Sequence, residues 1–313
     1  MQNVSSTEPV NISLHCVDGQ GSEQTACSNA SQALPPLGQH RYDSQTLFGP
    51  AATALFARLE ATGPVAAVEQ INLPSGNTAF AGASASDWRA PKIYVPAVEH
   101  SGRGSKAKTW SEVYVQNLGT APADLTLTYF SAKGKRQGQQ TATIAAGGGA
   151  LFDSRSQKKS GLRGYGTLTQ AGAAPLAVQW LVLNKSGTNL IGGAGIDSNR
   201  LAPRWACADT RRQKTPAQNT RLTVLNVSVL KNSAAITLYD PESGSELVTK
   251  SVAIKAGAQS TVKLAAQNFR KAGTRFAGLA LVASANGEDI EVSAADVLPQ
   301  NHRSGYSCSP LEN

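Results

Sequence analysis

The chain has 313 residues, of which 41% are hydrophobic and only 6% aromatic, with a formal net charge of +8. That length bounds two or three domains at roughly 100–150 residues each. No run of 18 apolar residues spans a bilayer, so no membrane insertion is expected, and no charged start followed by an apolar stretch marks a signal peptide.

The charge is unevenly spread. Residues 1–88 hold two basic and seven acidic side chains, residues 89–199 thirteen and five, and residues 200–313 fourteen and nine. A basic balance can serve nucleic acid, but such binding calls for aromatic platforms or a recognition helix among the charges. The basic runs here fall in expected loops, as at Lys133, Lys135 and Arg136, so no nucleic-acid partner is expected.

Taken in order, the segments alternate apolar and polar residues with the two-residue period of half-buried strands. Residues 10–16 read as a strand and 19–21 as a turn. Residues 24–28 read as the next strand, followed by a proline-rich connection at 34–37. Residues 53–61 and 65–71 read as a hairpin around Gly63 and Pro64. A lead-in strand at 93–99 opens a second, fuller version. Residues 110–130 form two strands about a polar turn, 140–144 a third, and 166–169 with 176–183 a hairpin. A related lead-in segment at 204–209 opens a third version, with strands across 222–240 and 250–254. A last hairpin joins 278–283 to 290–297. Residues 268–271 read as a short helical turn at most.

Asn3, Asn117 and Asn226 sit at equivalent places about 110 residues apart, the fixed self-similarity of a tandem array. The expected fold is therefore all-β, with three tandem immunoglobulin-like β-sandwich modules at 1–88, 89–199 and 200–313. The first lacks its N-terminal strand or strands. The chain ends, at residues 305–310, with something like a lead-in strand that has no module after it.

That frame shift has two readings. Met1 is where a longer sequence has been cut, or the tail of one molecule completes the first module of the next by β-strand addition. On the second reading the donor strand is Gly305, Tyr306, Ser307 and Cys308, and the acceptor is Gln2, Asn3, Val4, Ile12 and Leu14. A head-to-tail contact that does not close on itself builds a filament, and the acidic first module facing basic ones favours that polarity. The partner is then the protein itself.

Cys16 and Cys27 lie in neighbouring strands, and Cys207 and Cys308 occupy matching lead-in segments. The preferred pairing is Cys16–Cys27 and Cys207–Cys308, although four cysteines allow three pairings. Disulfides place the protein outside the cytoplasm. No metal or other cofactor is expected: there is no C-x-x-C, the four histidines are scattered, and no nucleophile, zinc-protease or phosphate-loop motif occurs. The chain reads as a non-enzyme. Glu288, Asp289 and Glu291 read as a charged hairpin turn in preference to a calcium site. Trp110 and Trp180 read as core, and Trp88 and Trp205 as packing between modules. N-x-S sequons stand at Asn3, Asn11, Asn29, Asn184 and Asn226.

The middle copy carries Val95-Pro96, Trp110, Val115-Gln116-Asn117, Tyr129-Phe130, Gly134, Gly147-Gly148-Gly149, Gly164-Tyr165-Gly166 and Pro175-Leu176-Ala177-Val178. This pattern resembles a repeat of cell-surface proteins from filamentous and gliding bacteria, notably Chloroflexota-like ones. The third copy keeps Asn226 and Tyr239 but has Leu225 for the glutamine and Asp289-Ile290 for Pro-Leu. The first keeps Gln2-Asn3 and Pro64-Val65-Ala66. The resemblance rests on fold-forming residues and implies an extracellular structural or adhesive role. The expected function is the subunit of a surface filament or sheath. The alternative is a monomeric or anchored adhesin that binds a glycan.

Overall fold

The computed structural model describes residues 1–24, 30–43, 56–66, 68–72, 78–82, 90–102, 108–157, 161–185, 190–213, 218–264, 269, 272, 276–297 and 303–311. The described residues form an all-β protein. Residues 1–82 contribute β1 (Gln2–Asn3), β2 (Val10–Val17), β3 (Ala30–Leu34), β4 (Phe56–Ala61), β5 (Val65–Ala66), β6 (Val68–Asn72) and β7 (Thr78–Gly82). Next come β8 (Lys92–Ser101), β9 (Thr109–Asn117), β10 (Ala123–Ser131), β11 (Arg136–Ile144), β12 (Gly149–Asp153), β13 (Leu162–Gln170), β14 (Leu176–Asn184), β15 (Leu190–Ala194) and β16 (Ile196–Asp197). The last set is β17 (Arg204–Gln213), β18 (Gln218–Asn226), β19 (Asn232–Tyr239), β20 (Glu246–Ile254), β21 (Gln259–Lys263), β22 (Phe276–Ser284), β23 (Ile290–Val297), β24 (Arg303–Ser307) and β25 (Ser309–Pro310).

The second and third sets repeat strand for strand. One runs β11-β10-β13-β8-β9-β14-β15, with β12 on β9 and β16 on β8. The other runs β20-β19-β22-β17-β18-β23-β24, with β21 on β18 and β25 on β17. The β8–β9 hairpin joins the two layers of its set through only two pairs, His100 with Trp110 and Ser101 with Thr109. Between those layers lie Val95, Val113, Val115, Leu127, Leu168, Val178 and Trp180, the alternate apolar positions of five strands.

The segments read from sequence as hairpins are connections between layers. β13 pairs with β10 and β8, whereas β14 pairs with β9 and β15. The same holds for β4 and β5, which occupy different sheets. Periodicity is blind to this, because both strands put alternate residues into the same core whichever neighbour they pair with.

Residues 1–82 carry the later part of the same plan. Ile12 stands opposite Ala61 as Leu125 stands opposite Gln170 and Ala234 opposite Ser284. β1 corresponds to the last two residues of β9, and β7 pairs with β6 as β15 pairs with β14. Among the described residues no strand takes the place of β8, so β4 is an edge strand of the sheet β3-β2-β4. The strand corresponding to residues 140–144 is Ala30–Leu34, later than the 24–28 expected: buried Leu34 holds the place of Ile144 and Ile254.

The three asparagines are the signature of the repeat, and each is fully buried. Asn117 Nδ2 donates to the carbonyls of Ala121, Ile144 and Ala145 at 2.7, 3.3 and 3.1 Å, while its Oδ1 accepts from Gly119 N at 2.9 Å. Asn3 repeats this with Glu8, Leu34 and Pro35 and with Ser5 N. Asn226 does so with Leu230 and Lys255 and with Ser228 N. One amide thus ties two loops together, adding a second bond to a turn carbonyl already paired in each repeat, Ala145, Pro35 or Lys255. Burial also removes Asn3 and Asn226 from the glycosylation candidates.

Candidate functional site

The tail does not resemble a lead-in strand once its pairing is known. β24 lies on β23, with Ala294 opposite Tyr306 and Ala295 opposite Gly305, and β25 sets Ser309 against Ala206 of β17. Its counterpart is residues 190–197, the closing strand of the middle repeat. Cys308 is bonded to Cys207 across 101 residues. The expected donor residues Gly305, Tyr306, Ser307 and Cys308 therefore complete their own repeat. In the middle repeat the corresponding positions are Val95, fully buried, and Gly195, which abuts Ile93 and Val178. Apolar packing closes that repeat where a disulfide closes the next. Cys16 is disulfide-bonded too; Cys27, its expected partner, lies outside the described residues.

The expected acceptor residues are also largely occupied. Ile12 and Leu14 are buried, Gln2 and Asn3 pair with Ala66 and Val65, and only Val4 is exposed. Val10, Ile12 and Leu34 form a small core with Met1, Tyr42, Leu59 and Val65. The open feature is the outer edge of β4.

A different contact recurs along the chain. In the first repeat Val17 of β2 stands opposite Phe56 of β4, next to the turn at residues 18–22. In the middle repeat Phe130 stands opposite Tyr165, next to the turn at 131–135. This pair and its turn make a leading face. On the following repeat three positions meet in register: Gln116 with Ala177 and Gly149 in the middle one, and Leu225 with Glu291 and Gln259 in the last. They make a receiving face.

The two joints share an equivalent backbone bond. Gly149 N donates to Gly19 O at 3.1 Å, and Gln259 N donates to Ala132 O at 2.8 Å. Gly21 and Gly134 both have positive φ, and each would drive a Cβ into the carbonyl of Ala146 or of Gly257. Only glycine serves there, for conformation and for close approach. At the first joint the Phe56 ring sits where any side chain on residue 149 would lie. At the second, Tyr165 stacks on Phe130 at 5.1 Å and donates its hydroxyl to Gly257 O at 2.7 Å. Burial, then neighbouring Tyr94, pushes that phenol up to about 12. Gln259 Nε2 adds a bond to Pro96 O at 2.6 Å. Tyr94, Tyr165 and Ile196 of the middle repeat join the apolar core of the last.

Beside this joint Glu291 is wholly buried, and neither carboxyl oxygen has a hydrogen-bond partner among the described residues. Burial pushes its carboxyl up to about 8, so it is neutral at pH 7. Glu288 and Asp289 lie exposed in the preceding turn. The three acids do not converge on a cation. Among the described residues no three His, Cys, Asp or Glu side chains are placed to hold a metal ion.

Of the tryptophans, Trp180 is core, as expected. Trp205, expected to pack between modules, is instead in the core of the last repeat, donating Nε1 to the carbonyls of Ala202 and Ile290 at 2.9 Å each. Trp110, expected in the core, is instead half-buried on the outer face of β9, because it alternates with the inward Ser111 and Val113, and the Arg155 guanidinium lies 4.7 Å above its ring. Its Nε1 and the Tyr114 hydroxyl both donate to Glu112. Trp88 lies outside the described residues. The joints themselves were invisible to sequence reading: they are made from backbone carbonyls and turn glycines, which carry no periodic signal.

No family model matches the chain, and no curated protein matches it. A solved structure named "anti-sigma factor domain-containing protein" aligns over 93% of this chain and 95% of its own, at 8% identity and a TM-score of 0.15. That likeness is too slight to bear on fold or function. No helix among the described residues is long and apolar enough to cross a membrane.

Proposed function

We propose that this protein is an extracellular structural subunit that assembles with copies of itself, head to tail, into a surface filament or sheath. The observation that carries the reading is the joint used twice in one chain, with the same backbone bond, the same pair of turns and the same glycine requirement. A chain already built as a short polymer of repeats needs only that contact again to grow. The Cys207–Cys308 bond suits an oxidising location. Tail donation is the less economical route, because β24 and β25 would have to leave their own sheet and that bond would have to open.

Electron microscopy of the purified, unreduced protein is the test. Regular fibres of constant width support the reading, and a monodisperse monomer at every concentration refutes it.

One observation favours a second reading, glycan binding: the half-buried Trp110 stands beside Glu112 and Tyr114, and a sugar that displaced the Arg155 guanidinium from over its ring would meet an apolar plane with polar edges. Quenching of tryptophan fluorescence by oligosaccharides, lost in Trp110→Ala, would support it. Unchanged fluorescence across a broad oligosaccharide panel would dismiss it.

A further inference from the structure

Among the described residues, the first and last repeats each carry one half of the joint that no other repeat covers. On the last repeat Tyr239 stands opposite Leu279 in register, as Phe130 does opposite Tyr165. Both are only half-buried, whereas Tyr165 is covered. The adjoining turn at residues 241–245 is exposed throughout and bonds only within itself, Asp240 N to Ser245 O and Gly244 N to Asp240 O. On the first repeat Gln2 stands opposite both Ala66 and Gln39, as Leu225 does opposite Glu291 and Gln259. Ala66 and Gln39 are exposed, while Leu225 and Glu291 are wholly buried.

Among the described residues the two open faces do not meet. The closing strands β7, β15 and β24 lie against one another, so the repeats wind around a common line. Yet no bond among the described residues joins the turn at 240–245 to the turn at 35–39. Two joints are made and the third is left open, although β7 of the first repeat and β24 of the last touch.

Leu37 adds an independent argument. The left-handed positions of the other two receiving turns are Gly147 and Gly257, whereas here a leucine adopts φ 57 and stays 56% exposed. A leucine in that conformation is strained, and its apolar side chain gains nothing in water. Both costs make sense if a partner covers it. The turn at 240–245 is also wider by one residue than its counterparts, closing Gly244 N onto Asp240 O where Gly134 N reaches only to Ser131 O. Each half thus departs from the internal joints at the point where the two would touch.

We infer that the leading face of the last repeat, Tyr239, Leu279 and the turn at 240–245, docks on the receiving face of the first repeat of a second copy, Gln2, Leu37, Gln39 and Ala66. The partner is another molecule of this chain, and the contact is heterologous. This deepens the assembly reading and rests on it.

The test uses full-length, unreduced protein in sedimentation velocity from about 1 to about 100 μM. Ala66→Arg blocks the receiving face at an exposed position, and Leu279→Arg blocks the leading face, with circular dichroism to verify folding. Each variant alone is expected to need about tenfold or more protein to associate, a change worth about 1.4 kcal/mol. Their equimolar mixture is expected to stop at the heterodimer, because each retains the complementary half. Variants that polymerise like the wild type, or a mixture that forms long polymers, overturn this interface and leave the assembly reading standing. A wild type that stays monomeric throughout overturns the assembly reading, and this inference with it.

Discussion

Asn117 shows how much of this fold hangs on single polar side chains. Its amide bonds three carbonyls and one N–H and so ties two loops together, and alanine would remove all four bonds. At about 0.5–1.5 kcal/mol net for each of the four hydrogen bonds lost, Asn117→Ala is expected to cost the middle repeat about 2–6 kcal/mol in denaturant unfolding. A loss below about 0.5 kcal/mol would mean that water reaches the site and the ties are dispensable. Glu291 acts in the opposite sense. Its carboxyl ionises near 4.5 ordinarily and near 8 when buried here, so the folded state holds a proton that the unfolded chain releases. Its contribution to stability is fully present below about pH 4.5 and is lost as the pH rises through about 8, at roughly 1.4 kcal/mol per pH unit in between. Glu291→Gln keeps the shape without the titration. Denaturation at pH 5 and pH 9 should show the wild type losing more stability than the variant. Equal losses would mean that Glu291 is solvated or paired.

Among the elements, the tail has the largest consequences. Because β24 and β25 complete their own repeat and Cys308 bonds to Cys207, deletion of residues 304–313 is expected to destabilise residues 200–297 in limited proteolysis. An undisturbed digestion pattern would contradict the pairing. Replacing both cysteines with alanine releases a loop closed over 101 residues, worth about 4–5 kcal/mol on a chain-entropy account. Calorimetry should show the last repeat melting earlier while the middle one holds. Strand existence was legible in the sequence because alternation survives in every repeat, and Asn3, Asn117 and Asn226 marked the phase correctly. Strand partnership was not, since a layer-crossing connection and a hairpin both need only a glycine or proline bend. The tail was misread for a related reason. A closing strand and a lead-in strand share the same alternation, and Cys308 stands where the middle repeat has Gly195, which erases the likeness between the two closing segments.

The whole molecule is organised by its joints. Gly134→Val would put a branched side chain at positive φ against the Gly257 carbonyl, and it is expected to part the middle and last repeats without unfolding either. Small-angle scattering should then report a longer particle, whereas an unchanged radius of gyration would mean that the joint tolerates side chains and is incidental packing. The joints could not be read beforehand because their specificity lies in where backbone groups arrive in space. The same is true of the open faces, whose residues look like ordinary surface until Gln2 and Leu225, or Tyr239 and Phe130, are seen to hold equivalent places. The measurement that bears most directly on head-to-tail assembly is electron microscopy of the unreduced wild-type protein over a concentration series. Fibres of uniform width are expected, with an axial repeat that corresponds to three sandwich-like steps per subunit. Single particles of monomer size at every concentration would contradict head-to-tail assembly.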